Sequence, residues 1–500
     1  MTQVTGASPA DWRRWDQIDW SHVYREVRRL QVRIAKAARE RRWNKVSALQ
    51  HRLTRSFTAR LWAVRRAVTN KGRKTPGIDG VIWEKDEQKW EAARNLRFRG
   101  YRPEPLRRIY IPKTHGDKLR PLGIPTMADR SMQALYALAL DPVSETMADP
   151  HSYGFRRSRS LHDAVAQCFN ALARKASPQW VLEGDIQACF DQISHDWLLG
   201  EIPMEKKILR GWLKAGYMGD NARYATEAGT PQGGIISPIL ANMALDRLEA
   251  VARCAVPGRR ANKVHVVRYA DDFIITGASK EALEKYVKPA VTGFLAERGL
   301  NLSEAKTRIV HIEQGFDFLG VNIRKYSGKL LIKPAPEKVR AFRRSLKVFI
   351  DAHISTPLVP FLTELNRRLR GWAQNYRGVV AKRTFSKLDE DLYQLLRRWT
   401  RLRHRNKTNA WCKRRYWRRI GMRWVFGARY TNRKGQTSHL KLFKLSDLPI
   451  RRHVKIRCLA HPYDPLWDSY YARRRRAQYV RRKRDRKFMA TSALTRSVRL

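Results

Sequence analysis

The sequence has little cysteine and no long apolar run. It holds 5 cysteines in 500 residues, and no two of them form a Cys-x-x-Cys pair. Neither a zinc site nor a disulfide framework is therefore indicated. No stretch approaches the roughly 18 consecutive apolar residues of a membrane helix, and residues 1–20 hold no apolar signal core. These absences exclude disulfide scaffolds and membrane proteins, and we expect a chain of the reducing cytoplasm.

Acidic residues are scarce beside basic ones. The chain has 102 Lys plus Arg against 45 Asp plus Glu, a formal net charge of +57. Such an excess would repel itself without a polyanion, so a nucleic acid is the expected partner. A merely solvating surface, or one facing anionic lipid, is the alternative. Trp and Tyr are interleaved with the arginines, which favours nucleic acid. The apolar fraction of 43% supports real cores, and the length allows two to four domains.

The motif around which the chain is organised is Tyr269-Ala-Asp-Asp272. Apolar, β-branched runs flank it within residues 265–276, which predicts a β-hairpin with Asp271 and Asp272 at its tip. Adjacent carboxylates repel each other, and a pair of Mg²⁺ ions is a usual remedy. By itself the tetrapeptide is also typical of a solvated acidic turn.

A third carboxylate lies upstream. Residues 180–185 predict an apolar strand that ends on Asp185, and Phe190 follows five residues later. Asp185 could complete a metal site with the other two aspartates. Phe190 could lie under the sugar of a nucleotide and exclude a 2′-hydroxyl. In the alternative interpretation, Asp185 caps the next helix and Phe190 packs in the core.

Two cations are predicted to lie close together on a strand pair. Residues 109–113 and 119–125 predict two short strands that turn at Gly116 and bring Lys113 near Arg120. Two such cations could neutralise a metal-bound triphosphate. An ordinary charged surface hairpin is the alternative.

A string of small residues, Gly229-Thr-Pro-Gln-Gly-Gly-Ile-Ile-Ser-Pro238, opens a predicted helix. Its glycines would let the backbone approach a template strand or base pair, and Gln232 offers both a donor and an acceptor.

The flanking regions are basic. Residues 19–70 predict helices that form either a packed hairpin or an RNA-facing arm, and their charge favours the arm. Residues 335–425 predict amphipathic helices with a basic face, in which Trp372 and Trp399 are expected to be core residues. From about residue 426 we expect few strands, and a basic run at 473–484 that is disordered until phosphate binds it.

Together these blocks, in this order, resemble a reverse transcriptase of the group II intron-encoded type over residues 15–470. The resemblance implies an α+β fold, a right-hand polymerase with an antiparallel palm sheet, followed by an α-helical thumb. The implied domains are a basic helical extension at 1–70, fingers and palm at 71–334, a thumb/maturase domain at 335–425 and a basic DNA-binding region and tail at 426–500.

The resemblance also implies site residues and partners. Asp185, Asp271 and Asp272 would hold two Mg²⁺ ions, and Lys113, Arg120, Phe190 and Gln232 would contact the nucleotide. The implied partners are structured intron RNA, target DNA and dNTPs, with no membrane. The oligomeric state is not indicated. The expected nucleic-acid contacts are Arg73, Lys74, Lys306, Arg367, Arg370, Arg474, Arg475 and Arg482.

One departure from the family pattern is visible. Many relatives carry an HNH endonuclease with paired cysteines and histidines, and this sequence has no such pairs. We therefore expect no second-strand nicking, and a primer that comes from elsewhere, such as a nascent strand at a replication fork.

Two other functions stay open. The chain could be a splicing-only, RNA-binding maturase with a vestigial polymerase. The complete carboxylate triad, with Phe190 and Gln232, argues against such decay. It could also be a host-adopted reverse transcriptase of repair or defence, and nothing in the sequence decides against that.

Overall fold

The computed structural model describes residues 12–112, 119–219, 222–257, 263–420, 422–431 and 435–495. Contacts within the chain group it into two units. Unit 1 contains residues 1–171, 176–310 and 456–468, and unit 2 contains residues 172–175, 311–455 and 469–500. The domain boundaries expected at residues 70, 334 and 425 stay predictions, because this division reports compactness and not function.

Unit 1 is a mixed α/β assembly. Its helices are α1 (Trp20–Arg39), α2 (Trp43–Arg55), α3 (Phe57–Thr69), α4 (Asp86–Asn95), α5 (Met127–Met147), α6 (Leu161–Leu172), α7 (Cys189–Gln192), α8 (His195–Glu201), α9 (Lys206–Leu213), α10 (Ser237–Leu245), α11 (Leu248–Cys254), α12 (Lys280–Ala282) and α13 (Lys288–Ala296), the last two joined by a π-helical turn (Leu283–Val287). Its strands are β1 (Leu106–Pro112), β2 (Leu119–Ile124), β3 (Trp180–Asp185), β4 (Tyr217–Gly219), β5 (Ala222–Tyr224), β6 (Val266–Tyr269), β7 (Asp272–Gly277) and β8 (Arg308–His311).

Helix α5 lies at the centre of unit 1 and is buried along most of its length. Helices α1, α2, α3 and α10 pack against it. Two buried amides tie the layers together, since Gln31 donates to the Leu138 carbonyl at 2.8 Å and Gln50 to the Ala139 carbonyl at 3.3 Å. The basic helices of residues 19–70 therefore bury their apolar faces on the rest of unit 1, as a packed layer.

Two four-stranded sheets complete unit 1. One has the order β2-β1-β4-β5 and the other the order β6-β7-β3-β8. The predicted hairpin of β1 and β2 is confirmed, with Arg120 opposite Ile111. The second sheet, called the central sheet below, pairs β3 with β7 and β6 with β7 in antiparallel register.

Unit 2 begins with a three-stranded sheet of order β11-β10-β9, which four helices follow directly. The strands are β9 (Phe316–Phe318), β10 (Val321–Tyr326) and β11 (Lys329–Pro334), and the helices are α14 (Pro336–Ala352), α15 (Leu358–Tyr376), α16 (Lys382–Arg403) and α17 (Asn409–Tyr416). Strands β12 (Trp417–Ile420), β13 (Arg423–Thr431) and β14 (Thr437–Lys441) follow, and then helix α18 (Asp468–Ala493) and strand β15 (Leu494–Thr495).

Aromatic side chains form the core of unit 2. Trp399 is 1% exposed and stacks on Phe361 at 4.7 Å between ring centroids. Trp372 is half-buried and stacks on Phe342 at 4.7 Å. The prediction that Trp399 is a core residue is confirmed, and Trp372 lies at the edge of the same core.

Two expectations about the carboxyl-terminal region are wrong. Residues 417–425, expected to be helical, instead form β12 and the start of β13, because alternate side chains such as Trp417 and Phe426 are buried on one face of the sheet. From residue 426 the described strands are the rest of β13, β14 and β15. The basic run at 473–484 lies within helix α18, not in a disordered segment. Asp485 of this helix forms ion pairs with Arg377 at 2.9 Å and with Arg451 at 2.5 Å. These two pairs anchor the helix within unit 2.

Residues 456–468, called the strap below, return to unit 1. Tyr463 is 2% exposed and donates its hydroxyl hydrogen bond to Asp141. The Ile456 amide donates to Asp163 at 2.7 Å, and Arg39 pairs with Asp464 at 2.7 Å. Ile456 and Tyr463 of the strap are therefore packing residues, whereas Leu459 and Leu466 are exposed. DNA binding by residues 426–500 as a whole stays a prediction.

In the part of the chain that the structure describes, no helix is both long enough and apolar enough to span a membrane.

Candidate active site

The tip of the β6–β7 hairpin presents two carboxylates. Tyr269 pairs with Asp272, so Ala270 and Asp271 form a two-residue turn. Ala270 has a left-handed φ of 59°, which lets the strands reverse over so short a distance. The hairpin predicted from the two apolar, β-branched runs is confirmed.

The third carboxylate lies directly across the central sheet. Asp185 at the end of β3 is the register partner of Asp272 in β7. Cross-strand partners place their side chains on the same face of a sheet, about 5 Å apart at Cβ. Asp185 is thus a strand residue beside the Asp271–Asp272 turn, and the alternative that it caps the next helix is wrong.

Charge repulsion marks this group of three aspartates. Burial raises the pKa of Asp272 to about 6, and the neighbouring charges of Asp271 and Asp185 add to the effect. The pKa of Asp271 is raised by burial and by Asp185, while Arg120 and Lys306 oppose the rise. The site therefore stabilises cations.

Lys306 supplies one positive charge to this group of aspartates. Its Nζ lies 2.8 Å from Asp185 Oδ2, and hydrogen bonding to Asp185 raises the pKa of Lys306. The sequence placed Lys306 among the nucleic-acid contacts, whereas the structure brings it into the carboxylate site itself.

For a divalent metal, the three carboxylates would form an open site. Among the described residues no three or more His, Cys, Asp or Glu side chains already converge as a metal cage. Mg²⁺ in nucleotide enzymes is typically held by one or two carboxylates plus substrate phosphates, so a closed cage is not required. The repulsion among the aspartates and the ammonium held by Asp185 are both consistent with a cation site at this position.

A loop and an arginine hold the turn from behind. The loop at residues 151–154 runs parallel to β6, and the amide of Tyr153 donates to the Arg268 carbonyl at 2.9 Å. A Cβ on Gly154 would come within 2.3 Å of the Ala270 backbone nitrogen, so only glycine lets the loop lie so close. Arg268 is 1% exposed and pairs with Asp246 at 2.7 Å, and its Nη1 also faces the Ala270 carbonyl at 3.4 Å.

Neither Gly154 nor Arg268 is predicted from the sequence. The available signals were a charged residue inside the apolar strand of residues 266–269, and a glycine in an otherwise ordinary loop. Each signal is weak alone, because its meaning depends on residues distant in the chain.

An aromatic pair and a glutamine flank the carboxylates. Phe190 is partly buried and meets Phe155 edge to face at 6.0 Å between ring centroids. Gln232 donates through Nε2 to Asp191 at 3.1 Å. Phe190, Asp191 and Gln232 line one cavity of about 420 Å³, within the size range of small-molecule sites.

Backbone contacts hold the glycine-rich loop of residues 229–238 beside this cavity. The Gly123 amide donates to the Gln232 carbonyl at 2.8 Å, which ties the loop to β2. Gly229 has φ of 84°, and a Cβ there would lie 2.6 Å from the Phe190 carbonyl oxygen. The loop therefore holds Gln232 beside Phe190.

The remaining predicted residues lie in various places. Lys113 lies outside the residues that the structure describes, whereas Arg120 on β2 is exposed and acts electrostatically on Asp271. Arg73, Lys74, Arg475 and Arg482 are exposed. Arg367 is bound by Glu364 at 2.6 Å, and Arg474 donates to the Val454 carbonyl at 2.8 Å. Arg370 is half-buried over the Phe443 ring, so it is partly a packing residue.

An antiparallel sheet that presents three aspartates beside a cation, flanked by an aromatic pair and a glycine-rich loop, is the arrangement of a polymerase palm. Comparison with known families agrees with it. Residues 111–323 match the reverse transcriptase (RNA-dependent DNA polymerase) family, residues 15–96 the N-terminal domain of reverse transcriptase, and residues 339–417 the group II intron maturase-specific domain.

Individual relatives show which kind of reverse transcriptase the chain resembles. Protein YkfC of Escherichia coli (strain K12) is 32% identical over 350 residues, covering 60% of this chain and 91% of that protein. The group II intron-encoded protein LtrA of Lactococcus lactis subsp. cremoris is 30% identical over 417 residues, covering 64% of this chain and 68% of that protein. The chain belongs to the group II intron-encoded reverse transcriptases with a maturase domain.

A solved structure of telomerase from Candida albicans, in complex with a fragment of telomeric RNA, also matches. The TM-score is 0.36 at 13% identity, covering 61% of this chain and 59% of that chain.

Proposed function

We propose that the chain extends a DNA primer on an RNA template by two-metal nucleotidyl transfer, with dNTPs as substrates. The observation that carries this is the cross-strand pairing of Asp185 with Asp272 beside Asp271, on a sheet that a maturase-type reverse transcriptase would use as its palm. When bound, two Mg²⁺ ions would supply activation of the primer 3′-hydroxyl and stabilisation of the leaving pyrophosphate.

The chain's own residues divide the remaining work. Asp185, Asp271 and Asp272 would hold the ions. Arg120 and Lys113 would bind the triphosphate by charge and hydrogen bonds. Lys306, already 2.8 Å from Asp185, balances charge within the site.

Phe190 and Gln232 would select and position the nucleotide. The Phe190 ring would pack under the sugar and collide with a 2′-hydroxyl. Gln232 is oriented by Asp191, since its amide group donates to that carboxylate and leaves the carbonyl oxygen for the nucleotide or template.

Unit 2 and the basic helices would hold nucleic acid. We infer that the maturase domain binds structured intron RNA to assist splicing, and that target DNA binds along the basic carboxyl-terminal region, including Arg474, Arg475 and Arg482. Intron mobility would follow from reverse transcription primed at the DNA target.

Phe190 provides the first test. The wild type is expected to extend a DNA primer on an RNA template with dNTPs and to reject rNTPs by roughly 10²-fold or more, because a hydroxyl is refused by shape. Phe190→Ala should keep dNTP extension and lose about tenfold of that discrimination, measured as the ratio of kcat/KM values. Phe169→Ala, at a phenylalanine 48% exposed on α6, is the control and should discriminate like the wild type. Unchanged discrimination in Phe190→Ala would contradict the gate, and absent extension by the wild type would contradict the polymerase.

A further inference from the structure

The sheet of β12, β13 and β14 has two unlike faces. Trp417, Phe426 and Ala428 are buried on one face. The register places Arg418 opposite Val425, and Arg429 opposite His439, on the other face. Lys441 lies there too, opposite Gly427. We call Arg418, Arg429, His439 and Lys441 the basic face.

Cations lie close together on the basic face. Arg418 Nη1 donates to His439 Nδ1 at 3.3 Å, and the charge of Arg429 acts on both side chains. Burial lowers the pKa of Arg418 and of His439, and the neighbouring arginine charges lower both further. In the described part of the chain, no carboxylate forms an ion pair with Arg418, Arg429 or Lys441. Such an arrangement is costly unless an anion binds there.

Two cavities open beside these residues. One, of about 220 Å³, is lined by Arg418, Gly427, His439 and Lys441. The other, of about 430 Å³, lies between β13 and the first turn of α15, and Arg403, Arg415, Arg418 and Arg429 line it. Neither lining includes an aspartate or a glutamate.

The first turn of α15 adds to the positive potential of the larger cavity. This 19-residue helix has Pro357 at its N-cap, no side-chain cap and no acidic residue in its first turn. Its amide groups at residues 358–359 therefore keep their donor capacity, and the helix dipole favours an anion. Arg403 holds the preceding loop through the carbonyls of Ile354 and Thr356, at 2.7 and 2.6 Å.

We propose that the basic face and the adjoining cavities bind backbone phosphates of structured intron RNA. The proposal rests on the RNA binding already assigned to the maturase domain, and it transfers residues 426–441 from the predicted DNA-binding region to the RNA-binding surface.

Continuity with the maturase domain favours RNA over DNA. The buried face of the sheet belongs to the same core, since Tyr416 stacks on Phe426 at 5.8 Å between ring centroids. Asn366 of α15 donates to the Lys441 carbonyl at 2.9 Å and accepts from the Phe443 amide at 2.6 Å. The strands therefore pack against the helices that match the maturase-specific family. That match covers residues 339–417.

The test compares a double variant, Arg418→Gln with Arg429→Gln, with the wild type on two probes. The probes are a structured RNA hairpin and a DNA duplex of the same length and sequence. Binding to RNA is expected to weaken about tenfold at physiological salt, with a salt slope smaller by about 2, one for each lost phosphate contact. Binding to DNA should change by less than about twofold.

The control variant, Arg343→Gln with Arg368→Gln, removes the same charge from arginines already paired with Asp391 and Glu364. It should bind both probes nearly as the wild type does. Arg429→Gln alone, at an exposed site, repeats the test if the double variant melts early. Unchanged RNA binding, or an equal or larger loss on DNA, would overturn the proposal.

Primer extension on a short RNA template is measured in parallel for the wild type and the control variant, and both should extend the primer. A loss of RNA affinity and a failure of polymerase chemistry are thereby distinguished.

Discussion

At the scale of single residues, the active site depends on charges that are placed in pairs across elements. Arg268 lies in β6 and Asp246 follows α10, yet their side chains meet at 2.7 Å with Arg268 1% exposed. The pKa of Asp246 is still raised to about 6, because burial outweighs the arginine. The pair fixes the strand that leads into the turn at Ala270 and Asp271.

Breaking this pair should destabilise the protein strongly. Arg268→Leu leaves Asp246 buried without its cation, at a cost of about 3–5 kcal/mol in the free energy of unfolding. Replacing both residues with leucine should recover most of that loss. Arg308→Leu, at an arginine 60% exposed, is the control and should cost less than about 1 kcal/mol.

Urea denaturation of the four proteins measures these differences. Equal losses in Arg268→Leu and in the double variant would show that packing, and not the unpaired carboxylate, determines the cost.

At the scale of elements, the hairpin and its partner strand follow from local sequence, whereas the parts that hold them do not. Apolar, β-branched runs predict β6 and β7, and the apolar run predicts β3 ending on Asp185. The close approach of the loop at 151–154 is not predictable locally, since it depends on a missing side chain, at Gly154, meeting a backbone 116 residues later at Ala270.

Gly154 is expected to control the geometry of the turn. A methyl group there would meet the Ala270 nitrogen at 2.3 Å, and neither backbone can move far. Gly154→Ala should therefore lower kcat by roughly 10²-fold, as expected when catalytic groups shift by about 1 Å.

Gly200→Ala is the matched control. Gly200 lies in helix α8 with nothing within 4 Å of the added methyl group, so activity should stay unchanged and stability should rise slightly. Wild-type activity in Gly154→Ala would show that the loop does not constrain the proposed catalytic turn.

In the region after α17, by contrast, the local sequence did not predict the secondary structure correctly. Its charge dominates its composition, so few strands and a disordered run were expected there. The structure instead buries Phe426 and Ala428 against an aromatic core and leaves the arginines on the opposite face. Net charge predicts the partner of such a segment better than it predicts its secondary structure.

At the scale of the whole molecule, the order of the motifs along the chain predicts the class of protein. It does not predict which distant segments pack together. The strap at 456–468 belongs to unit 1, although the 145 residues before it, 311–455, belong to unit 2. Its contacts, such as Tyr463 with Asp141, join residues 322 positions apart. No local pattern reports a contact at that separation.

The strap should make stability depend on pH. His151 is bonded to Glu249 at 2.8 Å, and burial disfavours its charge, but hydrogen bonds to Cys458 of the strap and to Glu249 raise its pKa to about 9. Because the folded pKa lies above the ordinary 6.5, the stabilisation is complete below about pH 6.5 and is lost as pH rises towards 9. It amounts to roughly 3 kcal/mol at most.

Thermal unfolding between pH 6 and pH 9.5 measures this dependence. His151→Gln should lower stability at pH 6 and match the wild type near pH 9.5, whereas His51→Gln, at an exposed position, should follow the wild type throughout. A constant difference between His151→Gln and the wild type across that range would contradict a charged His151.

The central claim is that Asp185, Asp271 and Asp272 together form the metal site of an RNA-directed DNA polymerase. The most direct measurement is dNTP incorporation on an annealed RNA template and DNA primer with Mg²⁺, for the wild type beside Asp271→Ala, with Asp317→Ala as a control carboxylate on β9. The account predicts robust extension by the wild type and the control, and a loss of several orders of magnitude in Asp271→Ala. Extension that persists in Asp271→Ala, or none by a folded, RNA-binding wild type, would contradict it.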